Sequence, residues 1–404
     1  MASPPTSGDV LVIGGGVIGL SIAWRAAQSG ESVTVLERDT LGRGTSSVAA
    51  GMLAPVAEAE FGEAAGRVLE LGLRSAALWS SFAEQLQAAS GVDVGLHRTG
   101  TLMLARDDDE ARELERQIVF REGLGLRTHR LRASQARERE PALAPAMRLA
   151  LEAPDDHSVD PRRVLEALRT ACESVGVRLR ERACVTRLDV DAAEHVAGVV
   201  LADGEAIQAS RAIVAAGAWS SHLAGRLGPT PPVRPVRGQL LRLRDPAGPG
   251  LLGSVIRFEG GYIVPRADGR YVLGATVEER GFDVEPDVGG IYELLREAHE
   301  IVPGVSELKI EELCVGLRPG MPDNAPAIGP GALAGLTWAT GHHRNGILLA
   351  PLTAELVVAH LRGEQQDETT AGLLAACDPL RFAPAGADRT ARPAGASRQQ
   401  AALA

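Results

Sequence analysis

The sequence predicts an α/β plus α+β fold, a Rossmann-like doubly wound domain built from three separated stretches with a mixed-sheet domain inserted between them. Three observations predict it. Residues 9–37 read DVLVIGGGVIGLSIAWRAAQSGESVTVLE, a strand, a glycine turn, a helix and a second strand ending in an acid. Apolar runs return at 212–216 and 336–340, the second followed by another glycine turn and a helix pattern. The chain of 404 residues exceeds one ordinary core, so two domains are expected. The expected division is 9–90, 153–230 and 321–381 for the doubly wound domain and 91–152 and 231–320 for the inserted one. Residues 1–8 and 382–404 are expected to be disordered.

The first unit requires a dinucleotide. Gly14 permits the turn after the apolar run 10–13, Gly16 lets backbone approach a pyrophosphate, and Gly19 lets the helix pack against the sheet. The helix start at Val17 and Ile18 offers N–H groups and the positive end of a dipole. Glu37 lies 23 residues past Gly14 (37 − 14), near the offset of about 20 expected of a ribose-binding carboxylate. Arg38 leaves a 2′-phosphate open, and the motif alone does not separate NAD from FAD.

Along the chain, 60–89 has helical spacing with Leu69, Leu71, Leu73, Ala77, Trp79, Phe82 and Leu86 on one face. Residues 100–105 read as a strand and 107–124 as a charged surface helix. Asp160 and Pro161 suit the N-cap and first turn of the next helix. Segments 177–190, 197–201 and 212–216 suggest a return to the first sheet, and Gly217 to Trp219 a close approach to something flat. The proline-rich stretch 228–239 suggests a crossover, 261–265 and 270–274 two strands, and 290–302 a helix.

Composition excludes several functions. Acids outnumber Lys plus Arg by ten, which argues against a nucleic-acid partner. No run approaches the roughly 20 apolar residues of a membrane span, and the first residues lack the pattern of a signal peptide. Cys172, Cys184, Cys314 and Cys377 form no CxxC pair, so reduced thiols in a cytoplasmic protein are expected. The histidines show no HxH or HExxH spacing, and no metal is expected. His157 precedes the helix start and reads as a loop or capping residue, not a base.

Three further blocks are specific: TSSVAAGMLAP at 45–55, GLRP at 316–319 and GHHRNGILLAP at 341–351. With the first motif they resemble the D-amino acid oxidase family of FAD enzymes, above all its glycine-oxidising branch that serves thiazole and thiamine formation. The likeness spans about 9–364. It implies noncovalent FAD held by Gly14, Gly16, Val17, Ile18, Gly19, Glu37 and Arg38, with Thr45, Ser46, Ala50, Gly51 and Met52 on the path to the flavin. It places the backbone of Val185 at the adenine side. It has His342, His343, Arg344, Asn345, Gly346, Ile347 and Leu348 wrap the isoalloxazine and ribityl chain. Gly217 and Trp219 complete the expected cofactor set.

Arg318, Arg344 and Tyr262 match positions associated with substrate, and these three are the expected catalytic set. A guanidinium suits an amino acid carboxylate because its fork gives two parallel charge-assisted hydrogen bonds. From the residues alone, Arg318 reads equally as a surface charge, Arg344 as a helix-start ion pair and Tyr262 as an edge-strand aromatic. The implied reaction is oxidation of glycine, sarcosine or a small D-amino acid by hydride transfer to flavin, giving an imine, with dioxygen reduced to hydrogen peroxide. A dehydrogenase using another electron acceptor is the alternative. An NAD(P) enzyme or a non-catalytic nucleotide-binding protein fits only the first motif. A homo-oligomer is expected from the family alone.

The sequence departs from the family at four places. Val277 and Gly316 stand where sarcosine-oxidising relatives carry an oxygen-activating lysine and a flavin-attaching cysteine, and Lys309 is the only lysine of the chain. His343 stands where an aromatic residue is common, and Gly260 replaces a bulkier polar residue.

Overall fold

In the computed structural model the described residues are 9–223, 225 and 227–383, those at 63–65 by their backbone alone. The expected disorder at 1–8 and beyond 383 lies outside them. One sheet has six strands in the order Ala327–Pro330, Leu336–Thr340, Arg211–Val214, Val10–Ile13, Val33–Leu36 and Arg178–Arg180. It is parallel from Leu336–Thr340 onward, and Ala327–Pro330 runs antiparallel at its edge. Strands Val10–Ile13 and Val33–Leu36 are buried throughout, as continuous apolar runs of a parallel sheet covered on both faces require.

Helix Val17–Gln28 packs on helices Gly346–Leu361 and Pro161–Ser174, and Glu63–Ser90 packs on the last two. Trp24, Trp79 and Phe82 fill this layer with edge-to-face rings at 5.6 and 5.4 Å. Pro351 interrupts the hydrogen bonding of its helix. The Leu348 carbonyl there accepts from Ser75 Oγ at 2.6 Å and Trp79 Nε1 at 2.9 Å. The Leu352 N–H donates to Ser75 Oγ.

The second sheet is mixed and has eight strands: Lys309–Gly320, Arg234–Arg244, Arg270–Gly274, Gly261–Pro265, Val255–Phe258, Thr101–Ala105, Leu149–Ala153 and His129–Arg132. Its neighbours are antiparallel except Val255–Phe258 and Thr101–Ala105. Its core is separate, with Leu241, Ile256, Ile263, Leu273 and Ile301 fully buried. Ala153 belongs to the second sheet, one residue past the limit expected for the inserted stretch.

Several local expectations are corrected. Segments 185–190 and 196–201 do not join the six-stranded sheet; with Ala206–Gln208 they form a small antiparallel sheet. Half of the proline-rich stretch is not a connection, because 234–239 belong to the 11-residue strand Arg234–Arg244. Helix Asp108–Gly123 is not purely a surface helix, since Arg121 is 1% exposed. His157 is not a cap: it pairs with Leu53 in a two-stranded ladder, and Asp160 caps the helix by accepting the Arg162 N–H at 3.0 Å. Among the described residues no helix is long and apolar enough to cross a membrane.

Candidate active site

An elongated cavity of about 800 Å³ is lined from both sheets, within the usual range of ligand sites. At one end lie Glu37, Arg38, Val185, Gly217 and Trp219. The Arg38 guanidinium sits 3.6 Å over the Trp219 ring. Glu37 Oε2 accepts the Gly15 N–H at 2.7 Å and Oε1 accepts the Asp39 N–H at 3.0 Å. The glycine turn therefore fixes the acid, and an ionised carboxylate has lone pairs left for a ribose. Phe282 packs on Trp219 and His222 at 5.6 and 4.6 Å.

In the middle lie Gly14, Gly16, Val17 and Ile18, with Thr45 and Ser46 facing them. Gly14 has φ +112°, and a Cβ there would lie 2.4 Å from the Ala215 oxygen. A Cβ on Gly16 would meet Ser46 Oγ at 3.2 Å. The Val17 N–H donates to that same hydroxyl at 3.1 Å, so Ser46 occupies the helix start where a phosphate would bind. Gly19 does not line the cavity. It brings the helix onto the turn, since a Cβ there would fall 1.9 Å from the Gly14 oxygen. Thr45 Oγ1 donates to the Leu317 oxygen at 2.8 Å, linking this loop to the strand that carries Arg318.

The far end gathers Ala50, Gly51, Met52, Tyr262, Arg318, His342, His343, Arg344, Asn345, Gly346 and Ile347. Leu348 is corrected: it is buried toward helix Glu63–Ser90, away from the cavity. Arg318 is fixed by two carbonyls, donating to Arg237 O at 3.2 Å and Thr276 O at 3.0 Å. Gly238 makes room for it, because a Cβ there would lie 2.3 Å from Nη1. Gly274 does the same for the Tyr262 hydroxyl, 2.7 Å from a Cβ at that position. Burial raises the Tyr262 phenol, which keeps its proton available for donation.

The sequence reading missed Glu58. Its Oε1 accepts from Arg257 Nη1 at 2.9 Å and Arg344 Nη2 at 3.1 Å, and it lines the cavity beside Tyr262 and Arg318. Burial would raise its carboxyl, but Arg257 and Arg344 hold it below the usual carboxylate range. A signal was present: residues 44–57 carry no charge, and Glu58 ends that run. His343 is pushed down to about 4 by burial and by Arg318 and Arg344, so its ring is neutral at neutral pH. Its N–H donates to the Pro319 oxygen at 2.9 Å, which fixes it next to Arg318. His342, pushed down by burial to about 3, shares a hydrogen bond with Thr353 Oγ1 at 3.0 Å.

Asp156, fully buried behind Glu58, is pushed up by burial to about 7. The Val56 and Ala57 N–H groups and the Arg257 charge oppose that rise, and Glu58 adds to it. A folded-state value above the unfolded one near 3.8 means that the folded protein holds the extra proton. That contribution to stability is full below about pH 4 and is lost as pH rises through about 7. The melting temperature of the wild type should therefore fall relative to that of Asp156→Asn as pH rises from 4 to 8. Parallel curves would refute this.

The model for "FAD dependent oxidoreductase" matches residues 9–360. The glycine oxidase of Geobacillus kaustophilus (strain HTA426) is 37% identical over 351 residues, covering 86% of this chain and 91% of that protein. The bifunctional protein ThiO/ThiG of Synechocystis sp. (strain PCC 6803) is 35% identical over 382 residues, covering 93% of this chain and 54% of that longer protein. Among solved structures, the crystal structure of glycine oxidase from Geobacillus kaustophilus superposes with a TM-score of 0.84 at 34% identity, covering 92% of this chain and 98% of that one. A glycine cradle, an acid fixed beside it and a match across nearly all of the described residues lead to one assignment: the chain belongs to the family of FAD-dependent oxidoreductases that includes the glycine oxidases.

Proposed function

We propose that this enzyme oxidises glycine, or sarcosine and small D-amino acids, to the imine, with release of hydrogen peroxide. The observation that carries the reading is Arg318 in the cavity wall, tethered by two carbonyls and facing Tyr262. The residues fit FAD: the Gly14 and Gly16 turn would hold the pyrophosphate, Glu37 and Arg38 the ribose, Val185 and Trp219 the adenine side. Thr45, Ser46, the 50–52 stretch and 342–347 would hold the ribityl chain and the ring. When bound, FAD supplies the redox chemistry, accepting hydride from the substrate and delivering two electrons to dioxygen. The ThiO/ThiG likeness supports a product used for thiazole and thiamine formation.

The side chains do the positioning. Arg318 binds the carboxylate as a fork, and the protonated Tyr262 hydroxyl donates to it. The buried walls exclude water from the Cα. Neither polar neighbour is suited to take a proton at neutral pH, because Glu58 is held by two arginines and His343 is pushed down to about 4. We therefore assign no side-chain base, and the substrate amine reacts in its neutral form with position and desolvation as the protein's contribution.

The test is the visible spectrum of the purified protein before and after anaerobic glycine. Flavin bands that bleach, return in air and yield one peroxide per glycine support the reading. Bands that persist with glycine, sarcosine and D-alanine, or peroxide-free reoxidation, would overturn it. The flavin should separate from the protein on denaturation, because Gly316 offers no thiol to attach it.

A further inference from the structure

Two buried polar side chains grip the loop that carries Glu58 without reaching the cavity themselves. Asp156 Oδ1 accepts the Val56 N–H at 3.1 Å and Oδ2 accepts the Ala57 N–H at 2.6 Å. From the other side Arg121 Nε donates to Val56 O at 2.9 Å, and Nη2 donates to the oxygens of Ala57 and Ala59, each at 3.1 Å. Both edges of the 56–57 peptides are thus held, one residue before Glu58. Asp156 and Arg121 are 0% and 1% exposed, and neither lines the cavity.

Such an arrangement is not explained by stability. Taking a guanidinium and a carboxyl group out of water is costly even when both are hydrogen-bonded, and apolar replacements of buried ionic groups are often neutral or better. What it supplies is position. Arg121 lies on helix Asp108–Gly123 of the inserted domain, whereas the loop follows strand Met52–Leu53 of the nucleotide side. Asp156 lies just before strand His157–Ser158, which pairs with Met52–Leu53. The clamp thus fixes a loop of one domain against a helix of the other at the end of the cavity that holds Arg344.

We propose that Arg121 and Asp156 are positioning residues for substrate binding, acting through Glu58. They hold the Glu58 carboxylate where it pairs with Arg344 and Arg257, so the wall beside Arg318 and Tyr262 is assembled before the substrate arrives. Without the clamp, each binding event must order the loop, which weakens binding more than turnover. The inference rests on the proposed amino acid oxidation, and glycine turnover by the wild type tests that reading separately.

The experiment is a double-mutant cycle on the FAD-loaded enzyme with glycine as substrate. Arg121→Met and Asp156→Asn should each raise KM by about fivefold or more with kcat within about twofold, as expected when ordering is added to binding. In a Glu58→Gln background the same changes should move KM by less than about 1.5-fold, because residues acting through one partner are not additive. An unchanged KM, or an equal rise in both backgrounds, overturns the proposal while leaving the glycine reading intact. Where a variant fails to fold, hydrogen exchange on the wild type decides: the Val56 and Ala57 amides must be strongly protected without substrate, and exchange at the rate of an open loop overturns the clamp.

Discussion

Arg318→Ala should lower kcat/KM for glycine by about 10²- to 10⁴-fold, mostly through KM. The estimate follows from two charge-assisted hydrogen bonds lost at about 1.5–3 kcal/mol each, with about 1.4 kcal/mol per factor of ten. The loss is not made good by neighbours. Arg344 is committed to Glu58 at 3.1 Å, and His343, pushed down to about 4, carries no charge at neutral pH. Arg318→Lys should recover only part of the loss, because an ammonium is a point charge without the fork. It also lacks the guanidinium's reach to both the Arg237 and Thr276 carbonyls. Steady-state kinetics over a wide glycine range, with FAD content checked by absorbance, measures the effect. An alanine variant with normal KM would remove Arg318 from the substrate site.

The variant's flavin content separates two roles that the geometry brings close together. The strand Lys309–Gly320 carries Arg318, and its Leu317 oxygen accepts from Thr45, which lies on the phosphate side of the cavity. If Arg318 served only to hold that strand, its loss would reduce FAD retention along with activity. A carboxylate-binding role predicts full flavin with a raised KM.

What the sequence made legible follows from how local each signal is. The glycine turn, helix and acid at 14–37 lie within one supersecondary unit, so spacing alone places them, and the structure joins Gly15 N–H to Glu37 across that unit. The blocks 45–55 and 341–351 are distant in sequence, and only the family likeness brought them to one cavity. Leu348 shows the limit of such transfer: it sits inside a matched block, yet Pro351, Ser75 and Trp79 turn that part of the helix into an anchoring point for helix Glu63–Ser90. Glu58 was missed because its meaning depends on Arg257, which stands 199 residues away on a strand of the other sheet. Arg121 was read as surface because an arginine in a charged helix looks solvated until the loop it grips is known. Strands 185–190 and 196–201 were misassigned because β-branched residues show that a segment is extended, not which sheet it joins.

The same locality makes the glycine turn the most sensitive point in the chain. Gly19→Ala should destabilise the protein by about 3 kcal/mol and strip it of FAD, because the added Cβ falls 1.9 Å from the Gly14 oxygen and 3.2 Å from Val12 Cγ1. The Gly14 carbonyl has little freedom to retreat. Its own residue holds φ +112°, and a displaced Gly14 would press on the Ala215 backbone at the end of the neighbouring strand. The helix must therefore lift from the sheet, which moves the Val17 N–H from the phosphate position and opens the layer in which Trp24 is fully buried. Gly123→Ala is the control: a Cβ there meets nothing within 4 Å, and alanine favours the helix that Gly123 ends by up to about 1 kcal/mol. Thermal melts and the 450 nm flavin band of the two variants, purified side by side, measure the contrast. A Gly19→Ala protein that melts with the wild type and keeps its yellow colour would mean that the close approach of helix to turn is not what builds the phosphate site.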